Sequence, residues 1–327
     1  MLHAASTRRR CLSVIASLAL IASTGAAHAQ AEWPTRAPIR IIVPSAAGAA
    51  ADFVARIFGR HLEQRLGQTV VVENQPGAAT LIGVGAVMRA PADGYTFLLS
   101  GSSTQAANPS MFVKLPYDPA RDFVEIGLFG MIPMIAVVKP GSPLKSIADV
   151  IARGKARDGH LSYGYYSSSS QVPPALIESR TGMRALAAPY KNITQITTDL
   201  AGGVIDFAFL DAMSAASALN GLLTPIAVTS PQRSPNLPAV PAVAETLPGF
   251  DMQTWLGLSA RAGTPPEVIK RMGEYLRSAT AEPAIRDALM KQGMTPRTST
   301  PQEHTFFVAA ERTRWAEFVR IADIKPQ

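Results

Sequence analysis

The chain contains 327 residues, and its 47% hydrophobic and 17% charged residues supply enough apolar material for one large domain or two of about 150 residues. The formal charge of +7 is not gathered into any Lys/Arg-rich run beyond the N-terminal segment, and basic and aromatic residues do not interleave there. The sequence therefore gives no support for nucleic-acid binding. With one cysteine, Cys11, a disulfide framework is excluded.

The first 29 residues have the pattern of a secretory leader. Arg8, Arg9 and Arg10 precede the apolar stretch "CLSVIASLALIAS", and "AHA" ends at Ala29. The apolar stretch is short for a membrane span and no stop-transfer flank follows, so we expect a signal peptide cleaved after Ala29 rather than an uncleaved anchor. Cleavage removes Cys11 and three arginines, which lowers the formal charge from +7 to +4. A mild positive charge of this kind is compatible with a weak attraction for acidic small molecules.

Strands and helices alternate through the first part of the remaining chain. Residues 39–43 predict a buried strand, and residues 51–66 carry apolar side chains at helical spacing before a stop at Gly67. A strand at 69–75, a helix at 81–90 and a strand at 95–101 follow. This order predicts a mostly parallel sheet flanked by helices, an α/β fold.

The second part repeats the alternation. It begins with a strand from residue 132, a helix capped by Ser146 and a strand at 160–166, and Pro173 with Pro174 is expected to start the next helix. Further strands and helices reach a proline-rich connector at 230–248, which contains a short helix at "AVAET". A strand and three amphipathic helices end the chain.

Two extended strands, at 131–138 and 253–260, are expected to cross between two α/β lobes. We predict that lobe 1 comprises residues 30–131 and 253–327 and that lobe 2 comprises residues 132–252. Two crossing strands make a hinge, and a ligand cleft is then expected between the lobes.

The candidate site consists of loops that follow the predicted strands, because ligands of open α/β sheets gather beyond the carboxyl ends of the strands. The loop "SAAGAAAD" places little side-chain bulk at a helix start, where backbone N–H groups and the helix dipole favour a carboxylate. Close packing of helix on strand is the alternative explanation. The predicted ligand-binding residues are Ser45, Ala47, Gly48, Ala49, Asp52, Ala79, Thr80, Ser100, Ser102, Ser103, Gln105, Tyr166, Ser167, Ser168, Ser169, Ser170, Tyr190, Lys191 and Asp211.

Some side chains have both a structural and a functional interpretation. Asp52 either caps the helix, fixes the loop or bonds a ligand hydroxyl. Trp255 is assigned to the core, together with Trp315 and Phe306. Because Trp255 lies on a predicted crossing strand, it could also line the ligand cleft.

Patterns of catalysis and metal binding are missing. The sequence contains no G-x-S-x-G and no H-E-x-x-H, and no cysteine follows the leader. His61, His160 and His304 have no partner at ligand spacing, and we expect them at the surface or half-buried. A carboxylate pair of Asp52 and Asp211 would repel an acidic ligand. We therefore expect no enzyme, no catalytic residue, no cofactor and no metal site.

Several long segments carry a family resemblance, which runs from Trp33 to the C-terminus. They include "WPTRAPIRIIVP", "VARIFGRHLEQRLGQTVVVENQPGA", "APADGYTFLLSG", "NPSMFVKLPYDPARDF" and "PGFDMQTWLGLSARAGTP". In these segments the chain resembles the solute receptors of tripartite tricarboxylate transporters, the Bug family of periplasmic binding proteins. Together the segments are highly specific, whereas no single one would be.

The resemblance implies a periplasmic receptor with the two-lobed, type II binding-protein fold. We expect it to be a monomer. The lobes of such a receptor close on a small carboxylated molecule through helix N-termini, backbone amides and hydroxyls, without an obligatory arginine clamp. The closed form then docks on transporter subunits in the cytoplasmic membrane.

The chain departs from the family pattern in the loops themselves. Ser45, Ala47 and Ala49 replace an aromatic residue, a proline and a glycine of the first loop, while Gly48 and Asp52 remain. In the second loop, Ala79, Thr80 and Leu81 stand where the family usually has glycines and a polar residue, and "YYSSSSQVPP" replaces a glycine-rich loop. Fewer glycines and two tyrosines predict a ligand unlike citrate, either aromatic or larger.

A periplasmic solute receptor is thus the leading interpretation. The first alternative is a protein that presents its ligand to a sensor or signalling partner. The second is a secreted hydrolase or isomerase on the same scaffold, which would need a titratable pair in the cleft.

Overall fold

Residues 33–157, 160–216 and 218–326 are described by a computed structural model. The predicted leader and its cleavage point at Ala29 lie outside the described residues. Ala37–Gln327 form one unit, which carries the fold and the site. Of the separate unit Met1–Arg36, the described residues form turns.

The first part of the chain has the predicted alternation. Its elements are β1 (Ile39–Val43), α1 (Ala50–Leu66), β2 (Val70–Asn74), α2 (Leu81–Arg89) and β3 (Thr96–Gly101). Helix α1 ends at Gly67, which takes a φ of 62° and donates its N–H to the carbonyl of Glu63. This left-handed residue is the C-terminal stop that the glycine predicted.

A π-helical turn (Ser103–Ala107), the short helix α3 (Asn108–Met111) and the long strand β4 (Phe123–Val138) come next. The turn and α3 were not predicted. Strand β4 begins well before residue 132, where we expected it, and nearly all of it is buried. A continuous apolar run does not show where a buried strand begins.

The second part contains four strands and five helices in the described residues. They are α4 (Ile147–Lys155), β5 (Ser162–Tyr165), α5 (Ser168–Thr181), β6 (Leu186–Pro189), α6 (Ile193–Gly202), β7 (Phe207–Asp211), α7 (Ala212–Ala215), β8 (Thr224–Val228) and α8 (Val243–Thr246). As predicted, Ser146 caps α4, because its Oγ accepts from the N–H of Asp149 at 3.2 Å.

The predicted start of α5 at Pro173-Pro174 was wrong. Ser170 Oγ accepts from the N–H groups of Tyr166 and Ser167, at 3.0 and 3.1 Å, and this cap begins the helix at Ser168. Both prolines therefore lie inside the helix. Local hydrogen bonding of serines, rather than proline, sets the boundary.

The chain ends with β9 (Gln253–Arg261), α9 (Pro266–Ala281), α10 (Pro283–Lys291), β10 (Thr295–Pro296) and α11 (Pro301–Ile321). The three predicted C-terminal helices are therefore present. Helix α11 packs against β4, α3, α5 and the π-helical turn.

The strands pair in the order β2-β1-β3-β9-β4-β7-β5-β6, with β10 and β8 also on β4. β1 is parallel to β2 and β3, and β5 is parallel to β6 and β7. β4 runs antiparallel to β9 as far as Pro133 and antiparallel to β7 from Met134 onward. This strand thus joins two groups of parallel strands, and the α/β class is confirmed.

None of the helices in the described residues has the length and apolarity needed to cross a bilayer.

Two histidines predicted at or near the surface are buried instead. His61 is 3% exposed and lies 2.8 Å from Ser278 Oγ, while His304 is fully buried. Burial lowers the pKa of His304 to about 3, so the ring is neutral. The prediction for these residues was wrong because a lone histidine on a helix carries no pattern that reports burial. Phe306, assigned to the core, is 67% exposed.

A buried polar cluster connects β3, β4, β9 and α11. Ser259 Oγ lies 2.6 Å from Glu125 Oε2 and 2.7 Å from Ser100 Oγ. His304 Nε2 is 3.4 Å from Glu125 Oε2. Burial raises the pKa of Glu125 to about 7, despite the hydrogen bond from Ser259 and the charge of Arg312, which both lower it.

We expect Glu125→Gln to stabilise the protein at alkaline pH. Folding raises the pKa of Glu125. The contribution of this side chain to stability is therefore complete below its pKa in the unfolded chain and is lost as the pH rises through about 7. A glutamine does not ionise. The free energy of unfolding of Glu125→Gln should therefore exceed that of wild type by roughly 3 kcal/mol at pH 8 and differ little from it at pH 5. Urea unfolding at both pH values measures the difference, with Glu274→Gln on the exposed face of α9 as control. Parallel curves for wild type and Glu125→Gln would contradict the expectation.

Candidate functional site

The loops after the strands of both groups surround one cavity of about 810 Å³. It falls within the size range of small-molecule sites, roughly 300–1,000 Å³. Thirteen of the predicted residues line it: Ser45, Ala49, Ala79, Thr80, Ser100, Ser102, Ser103, Tyr166, Ser167, Ser169, Tyr190, Lys191 and Asp211. Residues from loops far apart in the sequence are therefore brought to one place.

The other six predicted residues do not line the cavity. They are Ala47, Gly48, Asp52, Gln105, Ser168 and Ser170. Gln105 is fully buried in the π-helical turn, and Ser170 caps α5. Each predicted loop reaches the cavity, but sequence spacing does not show which side chains of a loop face inward.

Asp52 holds the first loop in place but does not cap helix α1. Asp52 accepts from the N–H of Gly48 at 2.9 Å and from Arg56 Nε at 3.0 Å, and the first helical position is preceded by Ala49. Arg56 also reaches Asn74, whose amide donates to the carbonyl of Ser45 at 3.2 Å. Burial would raise the pKa of Asp52, but the bonds from Arg56 and Gly48 hold it below its usual value. Asp52 therefore stays ionised and fixes the loop.

The loop after β3 supplies hydroxyls. Ser102 Oγ accepts from the backbone N–H of Trp255 at 3.3 Å, which fixes Ser102 on β9. Ser103 Oγ lies 3.5 Å from Ser168 Oγ at the start of α5. The contact between Ser103 and Ser168 joins the two groups of strands beside the cavity.

Two tyrosines, Tyr166 and Tyr190, form another part of the wall. The hydroxyl of Tyr166 donates to Asp211 Oδ2 at 2.9 Å, and that of Tyr190 donates to Asp199 Oδ2 at 2.8 Å. Asp211 also accepts from the N–H of Ser214 at 2.8 Å, as the cap of α7. Burial and the neighbouring Asp211 raise the pKa of Tyr166, so this phenol remains neutral.

The charge of the cavity wall is low. Among the described residues that line it, Lys191 and Asp211 carry formal charges, and no arginine is present. Four longer helices begin at the wall, because Ala50 and Ala51 of α1, Ser169 of α5 and Ile193 of α6 line it, and α2 begins directly after Thr80. Each helix start adds about 0.3–1 kcal/mol of attraction for an anion. The wall therefore offers mainly dipoles and hydroxyls, with Lys191 as the one cation among the described lining residues.

Several lining residues were missed by the sequence analysis. Ile132, Met134, Thr254 and Leu256 come from the crossing strands β4 and β9, and Ile193 and Ser214 come from helix starts. The strands were recognised as crossing points, so their central residues could have been included. Nothing in an apolar strand distinguishes a cavity wall from a core position.

Trp255 belongs to the wall as well as to the core. Its side chain is fully buried, and Trp255 Nε1 donates to Glu311 Oε2 of α11 at 3.0 Å. Arg314 pairs with the same glutamate at 3.3 Å. The core assignment of Trp255 and Trp315 is confirmed.

The described residues hold no cluster of three or more His, Cys, Asp or Glu placed to bind a metal ion. Asp52 and Asp211 do not form a pair, because Asp52 faces Gly48 and Arg56 while Asp211 faces Tyr166 and Ser214.

The sequence matches the family model described as the tripartite tricarboxylate transporter family receptor over residues 54–324. The chain belongs to this family. Among its relatives, protein BugT of Bordetella pertussis is 36% identical over 317 residues, which cover 95% of this chain and 97% of BugT. The predicted family is thereby confirmed.

Solved structures of similar proteins confirm the fold of this family member. R. palustris Rpa4515 with adipate has a TM-score of 0.86 at 29% identity, covering 90% of this chain and 100% of that protein. The periplasmic binding protein BugD has a TM-score of 0.81 at 28% identity, with 89% and 99% covered. MatC from Rhodopseudomonas palustris with bound malate has a TM-score of 0.79 at 25% identity, with 87% and 99% covered. The fold is thus that of the two-lobed periplasmic binding proteins.

Replacing Asp52 should loosen the first loop of this family member. Asp52→Ala loses the bond from Gly48 and the ion pair with Arg56, so we expect the free energy of unfolding to fall by about 1–2 kcal/mol. Asp52→Asn keeps an acceptor for Gly48 and should lose less. Urea unfolding followed by circular dichroism measures both changes, with Asp287→Ala on the exposed side of α10 as control. Equal stability of Asp52→Ala and wild type would show that the loop does not depend on this carboxylate.

Proposed function

We propose that this chain is a periplasmic receptor that captures a small organic acid and delivers it to a tripartite membrane transporter. The observation that carries the proposal is the composition of the cavity wall. Four helix starts and several hydroxyls surround about 810 Å³, while Lys191 and Asp211 are the charged residues that line it within the described chain. A carboxylate is stabilised in such a wall by oriented N–H groups and dipoles.

Two similar proteins support a carboxylate as the ligand class. Rpa4515 was solved with adipate and MatC with malate. The acid that this chain binds is inferred from its own cavity wall. Its own wall combines Tyr166 and Tyr190 with the apolar Ile132, Met134 and Leu256. We infer an acid with an apolar body, aromatic or larger than citrate.

Closure of two lobes is part of the same proposal. We assign residues 30–131 and 253–327 to one lobe and residues 132–252 to the other. The change of partner along β4, between Pro133 and Met134, supports a boundary close to residue 131. Ligand contacts from both lobes would shift the balance toward the closed form, which the transporter would then recognise.

Export and the absence of turnover complete the proposal. The Arg8–Arg10 leader and the likeness to the periplasmic protein BugD support a periplasmic receptor. We propose that it acts as a monomer and catalyses nothing, since the carboxylates near the cavity are engaged in capping and loop contacts. Presentation of the ligand to a sensor would use the same cavity, and loss of uptake on deletion of the transporter genes separates the two roles.

Binding of acids by the purified protein tests the proposal directly. Isothermal titration with adipate, malate, citrate, benzoate and terephthalate should reveal at least one acid that binds in the micromolar range or tighter. An aromatic or longer acid should bind more tightly than citrate. Adipamide, the neutral counterpart of adipate, should not bind, because the wall stabilises negative charge. Tight binding of citrate with no preference for the aromatic acids contradicts the inferred ligand size. Conversion of any bound acid, seen by NMR, contradicts a receptor without catalysis.

Substitutions in two loops test whether the acid lies in the cavity. Ser102→Ala removes a hydroxyl from the loop after β3, and Tyr190→Ala removes an aromatic wall residue. Each should reduce the rise in Tm caused by the tightest-binding acid of the series, because each lost contact costs about 1 kcal/mol. Val113→Ala, at an exposed position outside the cavity, is the control. An unchanged rise in Tm in both cavity variants would place the acid elsewhere.

A further inference from the structure

One turn of the cavity wall has a backbone conformation that its residues disfavour. The φ angles are 122° at Gly77, 47° at Ala78, 49° at Ala79 and 81° at Thr80. Glycine adopts positive φ freely, but the Cβ of other residues makes it cost roughly 1–2 kcal/mol each. Three such residues in succession persist only where surrounding contacts impose the conformation.

Those contacts come from Asn108, at the start of α3. Asn108 Nδ2 lies 3.2 Å from the carbonyl oxygen of Ala79 and 3.2 Å from Thr80 Oγ1. The side chain is buried, with 2% of the residue exposed, so these bonds do not compete with water. Asn108 thus binds the two residues at the end of the strained turn.

Tyr117 in turn fixes Asn108. Its hydroxyl lies 3.2 Å from Asn108 Nδ2 and donates to the carbonyl of Thr104 at 2.6 Å. Burial raises the pKa of Tyr117, so the phenol keeps the proton that it donates. The bond to Thr104 ties this chain of contacts to the π-helical turn after β3. Neither Asn108 nor Tyr117 lines the cavity, whereas Gly77, Ala78, Ala79 and Thr80 all do.

The handedness of the turn decides the surface that it shows to a ligand. Reverting from positive to negative φ would rotate the peptide groups of Ala78 and Ala79 and change the directions of their N–H and C=O bonds. A ligand that fits one arrangement then binds with an affinity reduced by the fraction of molecules in the other.

We propose that Asn108 and Tyr117 are positioning residues that hold the turn Gly77–Thr80 in the left-handed conformation to which the acid binds. The inference rests on the proposed function, because it assigns a role in affinity to side chains beyond the reach of the ligand. It also makes a claim about the protein without ligand, namely that the turn relaxes when Asn108 is removed.

The first test uses no ligand. Hydrogen–deuterium exchange of the purified full chain should show faster exchange in residues 76–82 of Asn108→Ala than of wild type, with exchange in β5 and β6 unchanged. Tyr117→Phe, which keeps the ring and removes the hydroxyl, should show a smaller increase in the same segment. If Asn108→Ala does not fold, the exchange of residues 76–82 in Tyr117→Phe tests the proposal by itself. Unchanged exchange of the turn in a folded variant overturns the proposal.

The second test measures adipate binding by isothermal titration. Asn108→Ala should weaken binding about tenfold and Tyr117→Phe about threefold, as expected for the loss of one or two buried hydrogen bonds. Ala78→Gly combined with Ala79→Gly should recover most of the loss in the Asn108→Ala background, because glycine needs no support at positive φ. General damage to the fold would give no such rescue, and an unrescued loss therefore overturns the proposal.

The two tests separate this inference from the proposed function. If wild type binds no acid but the exchange of the turn depends on Asn108 as described, the turn is held as inferred and the receptor function fails. If adipate binds equally to wild type and Asn108→Ala, the receptor function stands and the positioning role is overturned.

Discussion

The exchange of partners along β4 determines where a cavity can form. Up to Pro133 the strand is bonded to β9, and from Met134 it is bonded to β7. A strand that changes partners in this way leaves two groups of parallel strands with their carboxyl ends near the same point. Ile132 and Met134, on either side of the exchange, both line the cavity. Loops of tiny and hydroxyl-bearing residues then need only follow their strands to surround a ligand.

Low charge in the wall is consistent with reversible capture of an acid. A buried arginine would strengthen binding but would be left without its counter-charge whenever the site is empty. Here the carboxylates nearest the site are used elsewhere, since Asp52 fixes a loop and Asp211 caps α7 while accepting from Tyr166. Backbone dipoles and hydroxyls remain for the ligand, and they require no counter-charge in the empty state.

The sequence predicted elements more reliably than contacts. Strand β1, helix α1 and its stop at Gly67 followed from apolar spacing and a glycine, because these signals are local. The start of α5 was misplaced, since the serines that cap it compete with a proline signal three residues further on. The predicted burial was wrong in opposite senses for His304, which is buried, and Phe306, which is exposed. Both lie on one helix, and the spacing of its residues does not reveal what each of them faces. The support of Thr80 by Asn108, 28 residues away, depends on tertiary structure alone.

The position of Trp255 gives the protein an internal optical probe. Its indole is fully buried and bonded to Glu311, and Trp255 is among the residues that line the cavity. The other described tryptophan of the same unit, Trp315, is buried in the core. Tryptophan emission from the described residues of this unit therefore comes from buried indoles. Any molecule that enters the cavity and alters the field around Trp255 changes a fluorescence signal that the native chain already carries, without an attached dye.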